Sequence, residues 1–257
     1  MHLLVFALGL IGGFAAGLLG IGGGIIMTPL LLYVPPLLGV GALNMKAVAG
    51  LTMAQGLAGS LSGVLTHNRF RFVCKRLVTV MGSSIALASL MGALLSKHVR
   101  SDVLLGLFAL MAIVAAAMMF VPKHDEGDGM TAERVHFNPA LAALVAAAVG
   151  FLGGMVGQGG AFILIPLMLC VLHIPTRVTI GSSLGIVFFS ALAGVVGKLS
   201  TQQIPLSLAL ALVAGALAGA PVGAQFSKAT KTCTLRYVLA CLIALTALRM
   251  GWQVIIK

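Results

Sequence analysis

The chain has 257 residues, 60% of them hydrophobic and only 8% charged, with 16 Lys and Arg against 5 Asp and Glu for a formal net charge of +11. Soluble domains carry about 25% charged residues, so this composition excludes a water-soluble fold. The cations sit at the ends of apolar runs rather than along an aromatic-laced stripe, which excludes a nucleic-acid binder and fits basic loops held on the cytoplasmic side of a bilayer.

Asp, Glu, Lys and Arg are absent from 3–45, 47–67, 77–96, 103–122, 135–176, 178–197 and 199–227. A membrane-spanning helix takes about 20 apolar residues, whereas a transmembrane β-barrel would show short segments of alternating polarity. The continuous runs predict an all-α integral membrane protein that crosses the bilayer many times, with the lipid bilayer itself as a partner.

The first run carries no basic residues ahead of its apolar core, which argues against a cleaved secretory signal. From Leu3 to Tyr33 it is too long for one straight crossing of a hydrocarbon core about 30 Å thick. Gly20-Ile21-Gly22-Gly23-Gly24 marks the break, because each glycine costs a helix about 1 kcal/mol relative to alanine. Broken backbone at depth is tolerated only inside protein or beside a polar cavity.

A helix is predicted to begin after Asn44, with Lys46 in its first turn and Thr52 and Gln55 on one face at i, i+3 spacing. His67 closes it, and a basic loop with Arg69, Arg71, Lys75 and Arg76 follows. The runs 77–96 and 103–122 complete a first repeat, residues 1–121. The segment 122–138 holds Asp125, Glu126, Asp128 and Glu133, four of the five acids in the chain, and reads as a solvated linker.

Residues 139–257 repeat the same plan. The stretch from Gly13 to Gly24 matches Gly150 to Ala161 at an offset of 137, so that Gly157-Gln158-Gly159-Gly160 falls on the first glycine break and Pro166 on Pro29. Further on, at an offset of 131, Gly50-Leu51-Thr52 meets Gly181-Ser182-Ser183, Lys46 meets Arg177, His67 meets Lys198, and Gly92 through Lys97 meets Gly223 through Lys228. Two homologous halves are expected, each a glycine-broken helix or hairpin followed by three transmembrane helices, as in duplicated transporter cores. Basic residues in the short loops favour inverted halves: inversion places seven on one side and three, Lys97, Arg100 and Lys198, on the other, while parallel halves divide evenly.

No Asp or Glu lies within an apolar run, whereas cation carriers and cation-coupled symporters bury carboxylates. Helix N-termini and hydroxyls suit an anion instead. The candidate substrate-binding set is therefore Gly20, Gly22, Gly23 and Gly24 with Gln158, Gly159 and Gly160 at the breaks, Thr52, Gln55, Ser182 and Ser183 on the helices that follow, and Lys46 and Arg177 as cations. Each has a purely structural alternative: small-residue packing for the glycines, interhelical hydrogen bonds for the polar groups, and snorkelling to headgroups for Lys46 and Arg177. His67 has an interfacial reading beside a titrating one. The four cysteines lack metal or disulfide spacing, and the six histidines show no paired spacing, so no catalytic residue, metal or cofactor is implied and an enzyme is not expected.

The glycine run followed by Pro29, the Gly50-Leu51-Thr52 and Gly181-Ser182-Ser183-Leu184 pair, and the Gly92 and Gly223 segments resemble the TauE/SafE family over nearly the whole chain. Where that family tends toward Gly-Thr-Ser in its first half, this chain has Gly50-Leu51-Thr52. The resemblance implies an eight-segment or hairpin-containing permease for sulfite, sulfoacetate and related sulfur compounds. The expected activity is export of such a small anion across a bacterial inner membrane, by alternating access at a midplane site between the repeats. Proton-coupled uptake of a sulfur-containing or carboxylate anion is the alternative, and a homodimer is compatible with the sequence. Outward movement of one negative charge down an inside-negative potential releases about 2.3 kcal/mol per 100 mV, so export needs no coupling ion.

Overall fold

The computed structural model describes residues 1–19, 24–68, 73–119 and 137–230, together with positions 234, 237, 238, 241 and 243–245. Nine helices and no strand are found among the described residues: α1 (His2–Leu19), α2 (Gly24–Leu37), α3 (Met45–Asn68), α4 (Lys75–Leu95), α5 (Ser101–Met119), α6 (Pro139–Val156), α7 (Ala161–Cys170), α8 (Thr176–Ser200) and α9 (Leu206–Ala229). The protein is an all-α membrane protein, with α1, α4, α5, α6, α8 and α9 each long and apolar enough to cross a bilayer. Of the final transmembrane helix expected beyond α9 only the scattered positions named above, all helical, are described, and the linker 122–136 and the residues Gly20, Gly22 and Gly23 lie outside the described residues.

Lipid tails offer no hydrophobic drive for helix association, so helices in membranes meet through small residues that bring backbones close. A methyl group built on Gly9, Gly13 or Gly17 would lie 2.4, 2.4 and 2.0 Å from the carbonyl oxygens of Leu212, Ala216 and Ala220. The register shows that α1 and α9 run in the same direction with their backbones touching. In the other half of the bundle, Gly150 faces Ile85 and Gly154 faces Ser89, so α6 and α4 are likewise parallel. Large apolar side chains such as Leu87, Leu144 and Leu210 point outward instead, where lipid is the solvent.

Two further sets of approaches fix the remaining directions. Gly12 lies against Gln55 and Gly59 against Ala16, so α3 runs with α1; Gly185 lies against Val78 and Gly197 against Ala93, so α8 runs with α4. Gly185 also approaches Val64 while Gly194 approaches Met53, which makes α3 and α8 antiparallel. The helices thus fall into two sets of opposite direction: α1, α3 and α9 against α4, α6 and α8.

This arrangement folds each opening block into a hairpin. Helices α6 and α8 begin at the same end of the bundle, and α7 is joined to α8 by only residues 171–175, so α7 must return toward the end from which α6 came. Helices α1 and α3 also begin together, and α2 returns to their end in the same way.

The local sequence explains the second hairpin well. Asn138 caps α6 by accepting hydrogen bonds from the N–H groups of Ala140 and Leu141, with Pro139 at the first helical position. At the other end Gly157 takes a left-handed φ of 89° and its N–H closes onto Gly153 O, a stop that favours glycine. Pro29 and Pro166 sit at matching places inside α2 and α7, each withdrawing one backbone donor from its short helix.

One sequence expectation needs correction. Lys198 is not a loop residue: its side chain is fully buried within the last turn of α8, because that helix runs past the apolar stretch to Ser200. Removing it from the loop tally leaves seven basic residues on one side against Lys97 and Arg100 on the other, which strengthens the bias.

Gly13→Leu is expected to cost at least about 1–3 kcal/mol, the usual range for overpacking, because backbone rather than a flexible side chain opposes it. Leu210→Ala, on the outward face of α9, should leave the melting temperature of the detergent-purified protein nearly unchanged. Equal melting of the two variants would show that α1 and α9 are not in backbone contact.

Candidate functional site

The two hairpins enter from opposite ends, and the start of α2 meets the second break inside the bundle. A methyl group on Gly24, the first residue of α2, would lie 3.1 Å from Cβ and Cγ of Gln158 in the second break. The Gln158 side-chain amide donates to the Thr28 hydroxyl, linking the second hairpin to the first turns of α2. Gly159 and Gly160, with φ of 60° and 71°, turn the chain into α7. The starts of α2 and α7, each carrying about half a positive charge from its helix dipole, are thereby brought toward one region.

Thr52 joins α3 to the same break. Its buried hydroxyl lies 2.8 Å from Gly157 O, as well as 2.9 Å from Val48 O within its own helix. The contact is possible because Gly157 has no side chain: a Cβ there would sit 2.1 Å from Ala49 O. Gln55, one turn further along α3, is fully buried against Gly12 and Met27.

Several polar groups in this region have no hydrogen-bond partner among the described residues. They are both amide atoms of Gln55, the Gln158 carbonyl oxygen and the Ser190 hydroxyl, which faces Gly159. Leaving a buried polar atom unpaired costs about 1–3 kcal/mol, and native proteins retain such atoms sparingly, often where function requires them. Sequence reading singled out Gln55 and Gln158 but missed Ser190, whose only sequence signal is a hydroxyl two turns beyond Ser183 in an apolar helix.

The other expected residues take different positions. Ser182 is buried and accepts a hydrogen bond from Cys74 N–H at 2.9 Å, fastening the start of α4 to α8; the Ser183 hydroxyl lies 2.9 Å from Ile180 O in its own helix. Lys46 reaches along the bundle end to Lys97 O at 2.8 Å rather than toward the break. Arg177, half-buried, occupies the first turn of α8, at the opposite end of the bundle from Lys46 because α3 and α8 are antiparallel. The side chain of His67 lies outside the described residues.

Among the described cations, Lys198 reaches the end of α6, the helix that leads into the second break. Its ammonium lies 2.9 Å from Ser96 Oγ, 3.1 Å from Gln203 Oε1 and 3.4 Å from Met155 O, the last being a terminal carbonyl of α6. Capping the negative end of a helix dipole is worth about 0.3–2 kcal/mol, whereas burying an ion costs several kcal/mol. The caps alone do not balance that cost. The one described acid, Asp102, is exposed and paired with Arg100 at 3.5 Å. Sequence counting missed this residue because the uncharged run ends one position before it.

Thr52→Val should destabilise the protein by about 1–3 kcal/mol by leaving Gly157 O unpaired, while Thr52→Ser retains most of the wild-type melting temperature. Gly157→Ala should be worse than either, since it combines a left-handed φ with a clash against Ala49. Thermal unfolding of the three purified variants checks this order, and a Thr52→Val protein as stable as wild type refutes the role given to the hydroxyl.

The family model for the sulfite exporter TauE/SafE matches residues 5–250. Among curated relatives, the probable membrane transporter protein YunE of Bacillus subtilis is 25% identical over 272 residues, covering 97% of each chain. A probable membrane transporter protein of Xylella fastidiosa is 28% identical over 215 residues, covering 82% of this chain and 79% of its own. The probable membrane transporter protein YdhB of Bacillus subtilis is 27% identical over 230 residues, 88% of either chain. No solved structure matches. A full-length family match on a polytopic helical bundle whose hairpins converge inside it identifies the chain as a member of the sulfite exporter TauE/SafE family and a multi-pass membrane transporter, not an enzyme.

Proposed function

We propose that this transporter exports a small anion, sulfite or an organosulfonate such as sulfoacetate, through the region where the two hairpins meet. The observation that carries this reading is a pair of buried donors without a partner among the described residues, the Gln55 amide nitrogen and the Ser190 hydroxyl, with Gln158 beside them at the second break. Amide and hydroxyl donors are what an oxyanion needs, and the starts of α2 and α7 add positive potential without a mobile cation. The sulfonate and sulfite oxygens are acceptors only, so the donors around the breaks match them and the absence of acid from the apolar runs spares them repulsion.

Opposed directions of α1 and α6, α3 and α8, and α4 and α9 support reading the two halves, 1–121 and 139–257, as an inverted duplication. In such a design the site opens alternately to either face as the packed helices rock. Placing the loop with Arg69, Arg71, Lys75 and Arg76 in the cytoplasm follows from the basic bias, and the membrane is then the bacterial inner membrane. Export is driven by the membrane potential, which favours outward movement of each negative charge by about 2.3 kcal/mol per 100 mV.

Flux of radiolabelled sulfite and sulfoacetate should be measured in proteoliposomes at clamped voltage. Wild-type flux should rise when the potential favours anion exit, and acidifying the opposite compartment should not accelerate it. Gln55→Leu and Gln158→Leu should each lower flux by about tenfold or more while leaving the protein folded. Voltage-independent, proton-driven uptake would replace this reading with that of a proton-coupled importer, and an absence of anion flux would end it.

A further inference from the structure

We propose that Lys198, Ser96 and Gln203 form a second anion subsite, lying between the meeting point of the hairpins and the face where α4 and α8 end. The inference rests on the anion-transport reading above and deepens it by naming the group that meets the solute's charge. All three side chains are buried or nearly so. They converge from the end of α4, the last turn of α8 and the turn before α9, and the ammonium also reaches Met155 O at the close of α6.

The present hydrogen bonds show what the cluster lacks. Lys198 donates only to neutral acceptors, and the Gln203 amide nitrogen makes hydrogen bonds to Thr201 Oγ1 at 2.7 Å and Ser96 Oγ at 3.3 Å. A tie between helix ends needs a donor but no charge, and a neutral amide would make it without the cost of burying an ion. An ammonium there gains most from a negatively charged partner. A sulfite or sulfonate group presents several acceptor oxygens, enough to take the ammonium together with the Gln203 amide and the Ser96 hydroxyl in exchange for their present acceptors, Ala93 O at 2.6 Å in the case of Ser96.

Position gives the subsite its place in transport. Met155, which Lys198 touches, stands two residues before Gly157, the acceptor of the Thr52 hydroxyl. An anion leaving the break toward the ends of α4 and α8 would therefore exchange helix N-termini for Lys198. On the basic bias this is the outer side, so the subsite acts on exit. The repeat places His67 at the equivalent position in the other half, so the two ends of the path are not chemically alike.

The test uses full-length protein with sulfite and sulfoacetate as probes, measuring binding by calorimetry in detergent and half-saturation of flux in proteoliposomes. Lys198→Gln keeps a neutral donor and should melt at or above the wild-type temperature, yet raise half-saturation by about tenfold or more. Lys198→Arg, which keeps the charge, should stay within about threefold of wild type. If Lys198→Gln binds and transports like wild type, the residue is a structural tie and the subsite is refuted, while the proposed function stands on the Gln55 and Gln158 variants. If Lys198→Gln and Lys198→Arg lose stability and activity in step, the subsite is refuted in the same way. Wild-type protein that neither binds nor moves either anion refutes both readings at once.

Discussion

Every backbone N–H and carbonyl inside a bilayer must find a partner within the protein, and this requirement governs the rest of the structure. It permits long helices anywhere but confines a break to the interior. The second break draws neighbours from the first half to itself: Gly24 at the start of α2 rests on Gln158, and Gly157 gives its carbonyl to Thr52. Satisfying those few backbone atoms brings together elements more than a hundred residues apart, and the polar side chains that accompany them create a region suited to a hydrophilic solute.

The charge pattern follows from the same requirement. An ion placed at depth must be paired, solvated or used. The chain keeps its acids in the linker and at Asp102, and among the described residues Lys198 is the charged side chain that is fully buried. That a lone cation, rather than a carboxylate, is the buried ion is consistent with a solute that supplies the negative charge itself. On the proposed path dipoles come first and a full charge afterwards, which would grade the attraction instead of concentrating it at one tight trap.

Much of this was legible in the sequence. Uncharged runs marked the helices, and the cluster Gly157-Gln158-Gly159-Gly160 marked the break between α6 and α7, because glycine inside an apolar run has few other physical explanations. Thr52 and Gln55 were visible as polar residues at helical spacing. What one-dimensional reading missed depended on direction and depth. Ser182 looks like a lining residue until its hydroxyl is found holding Cys74 N–H. Lys46 and Arg177 align in the repeat yet end at opposite ends of the bundle, because the helices bearing them run in opposite senses. Lys198 follows an uncharged run and so resembles the start of a loop; only the continuation of α8 to Ser200 shows that it is inside.

The backbone contact between α1 and α9, mirrored by that between α6 and α4, has a consequence for what counts as a unit in this molecule. Each hairpin's leading helix lies against a helix from the other half of the chain, and α3 joins the first of these groups while α8 joins the second. The halves recognisable in the sequence are therefore units of ancestry, whereas the units of cohesion are two interwoven trios, each borrowing from both. A fragment ending near the linker would be left with α1 bereft of its companion.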